Sequence, residues 1–173
     1  MHIVTLLGDY QSGKSALCSQ WSGLPLCTSY MTTLFPEPHL FPHLTVIDTP
    51  SCHRFPFDLE MLSKKTHLFV LVMSDDQCST SWYDKVYTNW PEIPWLIILN
   101  GSGKFRHSRR WALSNDIRVF QVELVRGFRV SEAMNYLREM LTSIEPSPDS
   151  VDLTTDQYFR TVPFLGVLYS SCV

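Results

Sequence analysis

The eight residues Gly8-Asp9-Tyr10-Gln11-Ser12-Gly13-Lys14-Ser15 constrain this chain more than any other feature. They match the spacing G-x-x-x-x-G-K-S at every fixed position. They also stand between two segments of different character: His2 to Leu7 is a short apolar run of strand length, and Lys14 to Trp21 reads as a helix. A strand, a glycine loop and a helix in that order make a cradle for phosphate. The loop's backbone N–H groups curl round phosphate oxygens, and the glycines permit the close approach and unusual φ/ψ this needs. The helix points its positive end at the same oxygens. Lys14 supplies a point charge for the outer phosphates, and Ser15 a hydroxyl for Mg²⁺. Gly8, Asp9, Tyr10, Gln11, Ser12, Gly13, Lys14, Ser15 and Ala16 are thus the expected phosphate-binding residues.

The alternation continues along the chain. Strands are expected over Leu44 to Asp48, Leu68 to Met73, Trp95 to Leu99 and Arg118 to Val122. Helices are expected over Ser81 to Trp90, Ser108 to Asn115 and Ser131 to Ser143. Ser131 should cap the last, with Ala133, Met134, Leu137 and Leu141 on its inner face. Such a pattern implies an α/β fold of three layers around a mostly parallel sheet. Ligands on these sheets bind at the carboxyl ends of the strands. The Gly8–Ser15 segment, Asp48 and Asn100 each follow an expected strand. The domain should occupy residues 1–145 and a C-terminal tail 146–173, with Pro146 and Pro148 in a polar linker. From Tyr158 the tail turns apolar, and it either docks on the domain or contacts a partner or a membrane, in the last case weakly.

Composition narrows the function. The chain has 173 residues, 45% hydrophobic and 18% charged, as in one globular domain. A net charge of −3 gives no footprint for nucleic acid and no polybasic segment for an acidic membrane. The five cysteines (Cys18, Cys27, Cys52, Cys78 and Cys172) are scattered and read as free thiols. With no signal or membrane-spanning segment, the expectation is a cytoplasmic monomer, membrane-associated only if the tail makes contact. Asp75-Asp76 reads as a solvated loop, and Arg106, Arg109 and Arg110 as a solvated helix face. Trp82, Trp90 and Trp95 read as core residues.

On its motifs, the chain resembles the Ras superfamily of small GTPases, and its Rab branch most closely. Gly-Asp-x-x-x-Gly-Lys-Ser is a Rab-like phosphate loop. Thr28-Ser-Tyr-Met-Thr-Thr-Leu34 resembles the first switch segment, and Ile47-Asp-Thr-Pro-Ser-Cys-His-Arg-Phe55 the second, Trp-Asp-Thr-Ala-Gly-Gln-Glu-Arg-Phe. Leu99-Asn-Gly-Ser-Gly103 falls where the guanine-reading Asn-Lys-x-Asp would stand. The resemblance implies a Ras-like P-loop NTPase fold over residues 1–145, with GTP or GDP and Mg²⁺ as ligands. It places Thr33 and Asn100 among the nucleotide-binding residues, and Ser15, Thr33 and Asp48 around Mg²⁺. It also implies protein effectors that bind through the switch region.

The departures from that pattern concern turnover and base choice. Ser51 replaces the glycine whose N–H meets the outer phosphate, and Cys52 replaces the glutamine that orients water; a thiol is a poor group for that task. Tyr10 and Gln11 add bulk to the loop where an arginine finger would enter. Gly103 carries no carboxylate for guanine, so guanine preference rests on the resemblance alone. Leu124-Val-Arg126 stands in place of the second base-reading loop. Pro36, Pro38 and Pro42 predict a shortened or irregular second strand and a remodelled effector surface. The expected function is an atypical Rab-like GTP-binding protein in signalling or membrane trafficking. Its phosphate and Mg²⁺ site is intact, and its hydrolysis is weak or absent. A nucleotide-free pseudo-GTPase adaptor is the alternative, and a small P-loop kinase using Arg106 to Arg110 a third.

Overall fold

The computed structural model describes residues 1–26, 32–51, 58–76, 82 and 86–144. Its strands are β1 (His2–Leu7), β2 (Glu37–Phe41), β3 (Leu44–Asp48), β4 (Leu68–Met73), β5 (Trp95–Asn100) and β6 (Arg118–Val122). They form one sheet in the order β2-β3-β1-β4-β5-β6. Only β2 runs antiparallel, paired to β3 from Glu37↔Asp48 to Phe41↔Leu44. The other neighbours are parallel, with His2 opposite Leu44, Val4 opposite Leu68, Phe69 opposite Trp95 and Leu96 opposite Arg118.

Every residue of β4 is buried, because both faces of the sheet are covered and successive side chains point to opposite faces. Leu68, Val70 and Val72 join one core with Leu17 of α1 (Lys14–Trp21) and Leu137 of the C-terminal helix. Phe69, Leu71 and Met73 join the other, with Trp82, Trp95 and Ala112. A smaller cluster seats Leu62 of α2 (Leu59–Ser63) on Ile3 and Ile47. The result is the expected three-layer α/β arrangement, and Trp82, Trp90 and Trp95 lie in or against the second core, as expected.

The helices correct the sequence expectations in three places. The helix α3 (Arg106–Ser114) starts two residues earlier than expected. Its cap comes from another segment: Asp76 accepts from the N–H of Ser108 at 3.0 Å, the N–H of His107 at 3.2 Å and Ser108 Oγ at 3.2 Å. Asp76, half-buried in the loop after β4, is therefore a helix cap as well as the loop residue expected. Desolvation pushes its pKa up, but these hydrogen bonds outweigh that and hold it below the usual carboxylate value. The helix α4 (Val130–Thr142) is capped by Arg129 at φ 57 and not by Ser131, which lies in its first turn. Its buried residues Val130, Ala133, Met134, Leu137 and Leu141 keep the expected face. Of the helix expected over Ser81 to Trp90, residues 81 and 83–85 lie outside the described residues, as do Cys27, Cys52, Cys78, Cys172 and the tail. Cys18 is buried, and burial pushes its thiol pKa well up, so it stays protonated.

The strand β2 is short but regular, contrary to the irregularity expected from the prolines. Pro38 pairs in register with Ile47, and it is tolerated because β2 is a sheet edge, where a missing N–H costs little.

The amino end of the sheet carries a pH-sensitive pair. His67 Nδ1 accepts from the N–H of Ile3 at 3.1 Å, and its ring meets His2 edge-on at 5.5 Å. Burial first, then the His2 charge, hold the His67 pKa below its usual value. Its stabilising contribution is therefore present at neutral pH and lost as pH falls through the folded pKa. Urea denaturation should show stability falling between pH 7 and pH 5, with a flatter slope in His67→Asn. An unchanged slope would contradict this assignment.

Candidate functional site

Strand order reverses beside β1: the chain passes from β1 to β3 on one side and then to β4 on the other. A crevice at the carboxyl ends is the usual ligand position in such sheets, and the Gly8–Gly13 loop lies there. Gly8 has φ 145, and a Cβ on it would lie 2.3 Å from the Val72 carbonyl oxygen. Gly13 has φ 103, and a Cβ there would lie 2.6 Å from Asn100 Nδ2 and 2.8 Å from Leu124 Cδ1. No other residue type fits either position. Gln11 also takes a left-handed φ of 60, and it is exposed while Tyr10 is half-buried.

Gly13 is the residue that caps α1, and no side chain closes this helix end. The Leu17 N–H reaches back to Gly13 O at 2.8 Å, so helix geometry leaves the earlier N–H groups, those of Ser15 and Ala16 among them, without intrahelical acceptors. The first turn holds no acidic residue but does hold Lys14, a cation at the positive end of a helix. That placement is unfavourable by about 0.3–1 kcal/mol. Lys14 is 7% exposed, and its Nζ donates to the carbonyls of Gly8 at 2.9 Å and Asp9 at 3.0 Å. Asp9 in turn accepts from Trp82 Nε1 at 3.0 Å.

Beside the loop, three side chains from three segments meet. Ser15 Oγ donates to Asp48 Oδ2 at 2.6 Å and Thr33 Oγ1 donates to the same oxygen at 3.1 Å. Ser15 Oγ and Thr33 Oγ1 lie 2.9 Å apart. Asp48, at the end of β3, is 1% exposed. Burial raises its pKa, against the opposing hydrogen bond from Ser15, the Lys14 charge and the Thr33 hydroxyl. Among the described residues its second oxygen, Oδ1, has no partner, and neither do the buried hydroxyls of Ser12 and Ser51. Buried polar atoms in folded proteins are nearly always satisfied; three of the six without a partner among the described residues lie on the segments that end β1 and β3, the others being His2 Nδ1, His39 Nε2 and Trp95 Nε1.

The oxygen set suits Mg²⁺ in one respect: a carboxylate and two hydroxyls are hard ligands. Among the described residues no group of three or more His, Cys, Asp or Glu converges, so such an ion would need phosphate oxygens and water to complete its shell.

Asn100 reaches the same loop, but as a brace. Its Nδ2 donates to Ser12 O at 3.2 Å, and its Oδ1 accepts from the Leu124 N–H at 3.2 Å. Gln121 Nε2 donates to the carbonyls of Gly101 at 2.7 Å and Gly103 at 2.9 Å, while its Oε1 accepts from Arg109 Nη2 at 2.6 Å. Sequence reasoning missed Trp82, Gln121 and the hydroxyl of Ser51. Only Trp82 carried a signal, because a buried indole N–H needs an acceptor. Cys52 and His53 lie outside the described residues. No protein-family model matches the chain, and no curated protein matches it significantly.

Asp48 also links the site to stability. Its folded pKa is raised, so the ionised form costs stability at neutral pH, and the cost is relieved as pH falls toward that pKa. Asp48→Asn should stabilise the ligand-free chain, by about 0.5–2 kcal/mol, the usual size of a single stabilising substitution. The same change should remove any Mg²⁺ dependence of ligand binding. Paired urea melts and titrations check both, and a destabilised Asn variant would contradict the burial argument.

Proposed function

We propose that this chain is an atypical, Rab-like nucleotide-binding protein of the small-GTPase kind. It binds the phosphates of a nucleoside di- or triphosphate with Mg²⁺ and acts through partner proteins more than through turnover. The observation that carries this is the set of buried oxygens without partners among the described residues, Ser12 Oγ, Asp48 Oδ1 and Ser51 Oγ, on the loop that leads to Lys14 and on the segment whose Asp48 accepts from Ser15 and Thr33. A phosphate–Mg²⁺ group would supply what each lacks: a donor or cation for the carboxylate, acceptors for the hydroxyls and the helix N–H groups.

Slow turnover follows from chemistry at the rim. Tyr10 and Gln11 occupy the side from which a cationic finger would approach, and Cys52 is a weak group for orienting water. The partner surface is the edge at β2, where Leu34, Phe35 and Leu40 are 48%, 58% and 63% exposed. Effector binding there, within signalling or trafficking, is the part of the proposal that comes from the family resemblance. Membrane contact by the tail is likewise proposed from sequence alone. Among the described residues no helix is long and apolar enough to cross a membrane.

One feature favours the scaffold alternative. Lys14, Ser15 and Thr33 all have protein acceptors, so these three are satisfied without a ligand. The kinase reading loses ground, because Arg109 is engaged by Gln121 and the other two arginines lie on the packed helix α3. Nucleotide extracted from the purified chain after Mg²⁺ loading, followed by single-turnover hydrolysis, separates the readings. Bound nucleotide with little phosphate release supports the binder. Turnover as fast as an activated small GTPase contradicts the deficit. Failure to retain or exchange any nucleotide leaves the scaffold.

A further inference from the structure

We propose that the exposed basic face of α3 is the docking site of the chain's own acidic segment, Glu145 to Asp156. Helix spacing builds the face. Arg106, Arg110 and Leu113 follow one another at intervals of four and three residues, so they form one row, and Arg109 stands beside it. These four side chains are exposed, Leu113 at 83%, while Ser108 and Ala112 carry the buried side of the helix. With exposed Lys104 just ahead, seven residues hold four of the chain's 14 lysines and arginines. Gln121 steadies Arg109 at 2.6 Å, and the ion pairs among the described residues lie elsewhere. The helix itself contains no acid. Asp76 caps its first turn and Asp116 follows its last. Arg106 opens α3 at the end where a helix disfavours a cation, so an acidic cover would offset a cost that the bare helix carries.

An acidic strip follows the domain. Glu145, Asp149, Asp152 and Asp156 recur at intervals of four, three and four residues, and no lysine or arginine follows them before Arg160. The row on α3 has the same intervals. The strip lies outside the described residues, but its point of departure does not. Ile144 shares a shallow groove with Pro94, Ser143 and Arg118, the first residue of β6. The last turn of α3 leads into the same Arg118 through Asn115, Asp116 and Ile117. The helices α3 and α4 cover opposite faces of the sheet, and β6 is its edge strand. A chain leaving Ile144 therefore reaches α3 by rounding that edge. The stretch from Glu145 to Asp156 spans up to about 40 Å when extended, against about 13 Å for the length of α3. It is long enough to turn the edge and still lie along the row.

Tethering makes a weak ionic contact sufficient. A segment on a short linker meets its site at an effective concentration of about 1 mM. A contact with a Kd of about 0.1 mM then holds for about nine-tenths of the time.

The experiment is limited thermolysin digestion of the full chain, with cleavage between residues 145 and 160 followed by intact mass and salt matched in every comparison. At low salt the wild type should be cut about tenfold more slowly than Arg106→Glu/Arg110→Glu, and the difference should vanish in about 0.5 M NaCl. Asp149→Lys/Asp152→Lys/Asp156→Lys should be cut as fast as the arginine variant, and combining the two sets should restore protection. Equal cleavage of the wild type and both variants overturns the proposal, as does a combined variant that gains no protection. Protection that grows with protein concentration overturns it in favour of a second copy's acidic segment. Sedimentation with phosphatidylserine vesicles that the arginine variant loses, with the segment cut freely throughout, overturns it in favour of an anionic membrane. If the arginine variant does not fold, as judged by circular dichroism, the lysine variant leaves the domain's own residues unchanged and still decides.

Discussion

Replacing Lys14 by alanine should weaken nucleotide binding about a hundredfold or more. Charge-assisted hydrogen bonds contribute about 1.5–3 kcal/mol each, and an ammonium on two phosphate oxygens makes two of them; about 2.7 kcal/mol is already a hundredfold. The side chain sits at the centre of the loop, 7% exposed, with its Nζ already aimed inward at the carbonyls of Gly8 and Asp9. Little movement separates this position from phosphate oxygens held in the loop. Lys14→Arg should fail as well, because a planar fork cannot replace a compact point charge in a space built for one. Circular dichroism should show both variants folded, since the helix α1 is anchored elsewhere by Leu17 in the core and by Trp21 Nε1 on Val130 O at 3.0 Å. Titration calorimetry measures the effect; a Lys14→Ala chain binding within about threefold of wild type would detach the lysine from phosphate.

Gly8→Ala should cost about 4 kcal/mol of folding stability. Two terms add: a backbone at φ 145 that is almost closed to L residues, about 1–3 kcal/mol, and an overpacked Cβ, about 1–3 kcal/mol. The second term cannot relax cheaply, because the obstruction at 2.3 Å is the Val72 carbonyl inside a strand paired on both sides. Gly23→Ala is the internal comparison. Gly23 has φ 70, but a Cβ added there would meet nothing within 4 Å, so only the left-handed backbone term of about 1–2 kcal/mol remains. Urea denaturation should separate the two variants clearly. Equal destabilisation would mean that the loop yields at Gly8.

Much of this architecture is legible in the sequence because it is local. The run from His2 to Trp21 carries its own strand, glycines, cation and helix within a short span. The continuous apolar runs Leu68 to Met73 and Trp95 to Leu99 mark strands covered on both faces. Bringing Asp48 and Thr33 to Ser15 is a tertiary event, foreseen only through the family resemblance. Side-chain braces across the chain leave no pattern: Trp82 to Asp9 and Gln121 to Gly101 and Gly103 are single hydrogen bonds between distant segments.

The helix boundaries escape a local reading for a related reason. Ser131 has the residue type of a cap, but the turn closed by Gly127 at φ 65 and the bridge Glu123↔Phe128 starts the helix one residue earlier. Arg129 enters at φ 57, held by Glu132 at 2.9 Å and stacked over Phe120 at 4.3 Å. Asp76 caps α3 from across the fold, which no local window contains. The prolines near β2 look like breakers because the sequence does not say that this strand lies at an edge.

The site as a whole trades stability for an arrangement that a ligand would complete. A cation at a helix N-terminus, a carboxyl group in a buried setting and three buried oxygens without partners among the described residues are each unfavourable alone. They concentrate at the ends of β1 and β3, where the proposal puts a phosphate–Mg²⁺ group. Calorimetric titration of the full chain with GTP, in Mg²⁺ and again in excess chelator, tests it most directly. Saturable heat at one site is expected, weakened when Mg²⁺ is withdrawn and lost in Lys14→Ala. No heat in either condition, from a chain shown to be folded and free of copurified nucleotide, would contradict it.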